Sequence, residues 1–134
     1  MSRVMKIIAV CALMLASLGA RAQGGGYEIF VPIGRYLGAG DAEKLSAWFA
    51  DNLEISVMSR TSDSSRAQAR QILKTFFESY TPRSFVIRHR ASQAQSKYAV
   101  GDLVAGGEHF QVTIFVTLFR DTYRIQQLKI DMVR

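Results

Sequence analysis

The hydrophobic period of this chain changes once, at Arg83, and that change limits the folds open to it more than any motif does. Before Arg83 the apolar residues recur every three or four positions. After it they alternate with polar ones, in SFVIRHR, KYAVGDLVA, HFQVTIFVTLF and YRIQQLKIDMV. A period near 3.6 belongs to a helix buried along one stripe, and a period of two to a strand buried on one face. Four strands joined by short polar links therefore follow a helical half. Helices first and an antiparallel meander afterwards predict an α+β fold rather than alternating α/β units.

In the helical half, Phe30, Ile33 and Leu37 share a stripe around Pro32. Proline is tolerated in a first turn, which puts this helix start near Val31, and Gly38-Ala39-Gly40 closes the segment. Asp41 stands as the N-cap of a second helix with Ala42, Leu45, Trp48 and Phe49 on one stripe and Glu43, Lys44, Ala47 and Asp51 turned away. A strand is expected from Leu53 to Met58, where Leu53, Ile55 and Val57 alternate with polar neighbours. Arg60 to Ser64 reads as a polar loop. Ser65 followed by Gln68 has the form of a capping box, and Ala69, Ile72, Leu73, Phe76 and Tyr80 stripe a third helix that Pro82 ends.

Gly106-Gly107 is a two-residue hairpin signal that pairs Ala105 with Glu108, Leu103 with Phe110 and Asp102 with Gln111. Pairing Ile114 with Leu128 and Val112 with Ile130 keeps apolar residues on a common face. One face then carries Ala99, Leu103, Phe110, Val112, Ile114, Val116, Leu128, Ile130 and Met132, and is the side under the helices. The other carries Tyr98, Asp102, His109, Gln111, Thr113, Phe115, Phe119, Tyr123 and Lys129. Several exposed aromatics on one face predict a partner for it, most simply a second copy of the chain as a homodimer.

The N-terminal end is read separately. Basic Arg3 and Lys6 precede the apolar run IIAVCALMLASLG and the small-residue site Ala20-Arg21-Ala22. That order marks residues 1–22 as a secretory signal peptide, and the run is shorter than the roughly 20 residues a membrane span needs. Cys11 lies early in the run after Val10, which disfavours lipidation. Cleavage predicts a periplasmic or secreted chain with no membrane attachment, a flexible leader at 23–26 and one domain at 27–134. Three of the 17 basic residues lie in the signal and none of the 11 acidic ones, so 14 basic against 11 acidic leave +3 rather than +6. Export and mild charge make nucleic acid an improbable partner. With Cys11 removed there is no disulfide, thiol nucleophile or cysteine metal site, and the domain must be held by its core.

Gly40, Asp41, Leu45, Phe49, Ala50, Asp51 and Asn52, followed by a strand, a further helix and a long meander, resemble the signature of the nuclear transport factor 2-like, or cystatin-like, superfamily. GDAEKLSAWFADNLEI, the pattern from Gln68 to Phe77 and the terminal QQLKI are similar to a small secreted bacterial family of uncharacterised function within it. The resemblance implies a conical roll in which N-terminal helices pack on a bent antiparallel sheet of four to five strands. It further implies a pocket at the wide end and dimers through the outer face. It implies little chemistry, because the superfamily holds isomerases, dehydratases, cyclases and non-catalytic binding modules.

Four residues stand out as ligand contacts. Trp48 is a core aromatic or a platform in the pocket between helices and sheet. His89 shares the parity of Phe85 and Ile87, which points it inward as a base, a polar contact or a rim histidine. Arg124 and Gln126 continue the inner parity of Leu128 and Ile130 toward a sheet end, where they either orient a ligand or mark the end of the core. Arg88 and Arg90 alternate outward along a solvated edge. An isomerase-type site would need Asp102 and Tyr98 facing inward, yet both fall on the outer face. Two histidines of opposite facing argue against zinc. The sequence thus favours an exported non-catalytic binding module for a small apolar ligand or protein partner, with no cofactor, metal or assigned catalytic residue. The alternative is a cofactor-independent acid/base enzyme of isomerase or dehydratase type, with His89 as base.

Overall fold

A computed structural model describes residues 27–133. The expected signal peptide with Cys11 and the leader at 23–26 lie outside the described residues. Among the described residues the order is α1 (Phe30–Ala39), α2 (Ala42–Ser46), β1 (Phe49–Val57), β2 (Arg60–Ser65), α3 (Arg66–Ser79), β3 (Pro82–Ser92), β4 (Ser96–Ala105), β5 (Glu108–Phe119) and β6 (Thr122–Met132). This is an α+β chain, and none of its described helices is long and apolar enough to cross a membrane.

Local rules account for the helices. Pro32 occupies the first turn of α1, and Gly40 closes that helix in the left-handed region at φ 69°. The Asp41 carboxylate accepts from the Lys44 N–H, 3.0 Å away, and so caps α2. Ser65 and Gln68 form the reciprocal capping box of α3. The second helix is nevertheless shorter than its stripe predicts. It stops at Ser46, because the Trp48 carbonyl accepts from the Ile125 N–H (2.7 Å) and Phe49 begins a strand beside β6. That pairing joins residues far apart in the chain, so the local pattern does not contain it.

The sheet has six strands in the order β2-β1-β6-β5-β4-β3. It is mixed: β1 runs parallel to β6, and the other neighbours are antiparallel. Both facts correct the expected antiparallel sheet of four to five strands. The extra strand is β2, expected as a loop, which pairs with β1 from Asn52↔Ser65 to Val57↔Arg60. Its turn places Met58 and Ser59 at positive φ, 52° and 72°, with no glycine to announce it.

Elsewhere the expected register holds. Ala105 pairs with Glu108, Leu103 with Phe110, Ile114 with Leu128 and Val112 with Ile130. The inner face is buried from Ala99 to Ala105, Phe110 to Val116 and Ile125 to Ile130, and Phe30, Ile33, Leu37, Ala69, Leu73 and Phe76 cover it. Phe110 meets Phe76 and Tyr80 edge-on at 5.1 and 5.2 Å between ring centres.

Two bulges break the alternation. On β3, Ile87 faces Gly101 and His89 faces Val100, leaving Arg88 as the extra residue. His89 therefore lies on the outer face and is exposed, where inward placement was expected, and Arg90, opposite Ala99, takes the inner parity. On β6, Gln127 faces Phe115 and Ile125 faces Val116, leaving Gln126 as the extra residue. The shift buries Ile125 and puts Tyr123 on the inner parity, while Arg124 pairs with Thr117 on the outer parity. The inward assignment of Arg124 and the outward one of Tyr123 are corrected together, while Gln126, as the extra residue, has no partner on β5. One inserted residue reverses the facing of everything beyond it.

Candidate functional site

A cleft of about 910 Å³ opens between α3 and the inner side of the β1–β2 hairpin. Its cause is the composition of β2. Ile55 and Leu53 of β1 stand opposite Ser62 and Ser64, so short hydroxyl side chains occupy positions that aliphatic ones would have filled. Ile55, Val57, Ile72, Phe76 and Tyr80 form an apolar floor, and Ser62, Ser64, Gln68, Gln71, Thr75 and Ser79 form a hydroxyl and amide wall. The Ser62 and Ser64 hydroxyls bond each other at 3.0 Å, and Gln68 is committed to the capping box. Arg60 and Asp63, the charged residues of the lining, are both exposed on β2. An apolar floor with a few polar contacts, at this volume, is the usual composition of a small-molecule site. A second cleft of about 760 Å³, between the α1–α2 junction and α3, is walled by Asp41, Glu43, Arg70, Lys74 and Glu78 and has little apolar lining.

None of the four ligand residues expected from sequence lines either cleft. Trp48 is half-buried against the core. Arg124 donates to the carbonyl of Ala47, at 2.6 Å, so the fold brings these two together beside α2. Gln126 sits in the β6 bulge close by. His89 lies apart on β3, separated from β6 by β4 and β5, with its ring 5.7 Å from that of Tyr98. Asp102 accepts from Arg88 (2.7 Å) on the outer face. That hydrogen bond, followed by the carboxylate charge, raises the Arg88 pKa above its ordinary value. Among the described residues no group of three His, Cys, Asp or Glu could hold a metal ion.

The sequence matches a domain of unknown function, DUF4783, over residues 30–131. The chain belongs to the DUF4783 family. DUF4783 family proteins from Bacteroides ovatus and Bacteroides uniformis are similar in fold, with TM-scores of 0.75 and 0.74 at 20% and 19% identity. The matches cover 78% and 77% of this chain and 94% and 95% of theirs. A designed protein of the Rd1NTF2 series matches at TM-score 0.66 and 17% identity, over 81% of this chain and 98% of its own. The fold is thus nuclear transport factor 2-like. No curated protein matches the sequence significantly.

In this DUF4783 chain no sequence signal marks the cleft residues, because Arg60 to Ser64 has the composition of a loop and loop hydroxyls carry no facing. No motif marks Lys97 either. It shares the inner parity of Ala99 and Leu103, so alternation alone would have placed it inside the sheet.

Proposed function

We propose that this protein is an exported, non-catalytic binding module that takes a small, largely apolar ligand in the cleft between α3 and the β1–β2 hairpin. The observation that carries the reading is the lining: an apolar floor, an uncharged polar wall, and charge confined to exposed Arg60 and Asp63. Acid/base chemistry would need ionisable groups converging on the floor. Export rests on the signal-like order of charge, apolar run and Ala20-Arg21-Ala22.

The neutral dye Nile red is a suitable probe. It should brighten on binding the native protein, and Thr75→Trp, which fills the cleft from an exposed helix position, should remove most of that signal. Full dye binding by a folded Thr75→Trp variant would sink the proposal.

The outer sheet face supports a second copy as partner. It presents half-buried Tyr98 and Phe115 together with Phe119 and Val86, which are 58% and 60% exposed. Sedimentation velocity should show a dimer that Phe115→Lys converts to monomer.

A further inference from the structure

The inner face is aliphatic along β4 until its first turn of alternation, where it carries Lys97. Lys97 is 7% exposed and lies opposite Val116. Its ammonium donates one hydrogen bond, to Ser92 Oγ at 3.0 Å, and stands 4.8 Å from the centre of the Tyr123 ring. A buried ammonium is costly unless a counter-charge accompanies it. Among the described residues no carboxylate lies within ion-pair distance of it.

Both bulges direct side chains to this corner. The one at Arg88 gives Arg90 the inner parity, diagonal to Lys97, with its guanidinium 4.8 Å from the centre of the Tyr27 ring. The one at Gln126 brings Tyr123 against the Lys97 ammonium. Bulges commonly re-aim side chains beside functional sites. Arg90 also forms no ion pair among the described residues, and the nearby acids in sequence, Glu28 and Asp121, are exposed and form none.

We propose that Lys97, with Arg90, Ser92 and Tyr123, forms a binding site for an oxyanion, the carboxylate or phosphate group of a small ligand. The site lies at the end of the sheet remote from the Gly106–Gly107 turn and does not depend on the cleft. Lys97 retains two N–H donors beyond the one given to Ser92, and Arg90 offers a planar fork of donors suited to either group. The Tyr123 ring holds the ammonium in place without neutralising it. The anion supplies the counter-charge that the described residues do not.

Calorimetric titration of the purified protein at low ionic strength, with octanoate and separately with inorganic phosphate, tests this. At least one should bind. Lys97→Met, close in volume, should weaken that binding about 10- to 100-fold, the range of a lost charged hydrogen bond. It should also raise Tm, because a buried unpaired cation is replaced by a thioether. Arg90→Gln, at an exposed position, should weaken binding severalfold with Tm unchanged. Binding of octanoate alone narrows the ligand to carboxylates, and binding of phosphate alone to phosphates. Thr75→Trp, which blocks the cleft, should leave both titrations unchanged. Failure of both anions to bind, or equal affinity in Lys97→Met, overturns the proposal.

Discussion

Two hairpins of this sheet turn through a pair of positive-φ residues with opposite sequences. β4 and β5 are joined by Gly106 and Gly107 at φ 57° and 78°, and β1 and β2 by Met58 and Ser59 at 52° and 72°. Left-handed φ costs an L-residue roughly 1–2 kcal/mol and glycine nothing. The glycine turn is therefore a local instruction, and the other is imposed from outside. The Met58 N–H donates to the Ile130 carbonyl (2.8 Å), so β6 holds the end of β1 where the turn must begin. The difference extends to burial. The first hairpin carries the core residues Leu103 and Phe110, and the second, through the serines of β2, leaves a cleft.

The largest break in the comparison should come from Phe110→Ala. It removes a fully buried ring from between Phe76 and Tyr80 and should cost about 3–5 kcal/mol in urea denaturation. Thr61→Ala on exposed β2 removes one hydrogen bond, to the buried Ser56 hydroxyl at 3.2 Å, and should cost only about 1 kcal/mol. Comparable losses at the two sites would erase the distinction between the hairpins. Gly106→Ala comes next, at about 2 kcal/mol, because its φ is left-handed and an added Cβ would lie 2.9 Å from Tyr80 Cα. A loss under half of that would mean the turn relaxes freely.

Ser65→Ala tests the junction of β2 with α3. Loss of its cap should lower stability by about 1 kcal/mol and reduce helical circular dichroism on heating. The smallest effect should be a gain: Ser59→Gly relieves an imposed left-handed residue and should stabilise by roughly 0.5–1 kcal/mol. If Ser59→Gly destabilises, the turn residue makes contacts that outweigh its backbone strain.

Much of the fold was legible because it is written in short-range terms. Asp41, the Ser65–Gln68 box, Pro82 and Gly106-Gly107 act on backbone groups within a few residues, and each acts as its chemistry requires. The candidate sites were less legible. His89, Arg90, Tyr123 and Arg124 were assigned faces by unbroken alternation, and one extra residue on each of two strands reversed all four. No composition rule marks Arg88 or Gln126 as extra, since a bulge is a property of the strand and its neighbour together.

By itself, the sequence determined the α+β class, the helix caps, the β4–β5 register and the aliphatic inner face. Those follow from periodicity and from hydrogen bonds a few residues long. The tertiary structure decided the parallel β1–β6 pairing, the sixth strand, the cleft behind Ser62 and Ser64, and the shared inner parity of Arg90, Lys97 and Tyr123. Each of these joins segments distant in the chain, where pairing energy overrides local preference and a single residue of register decides which side chains meet.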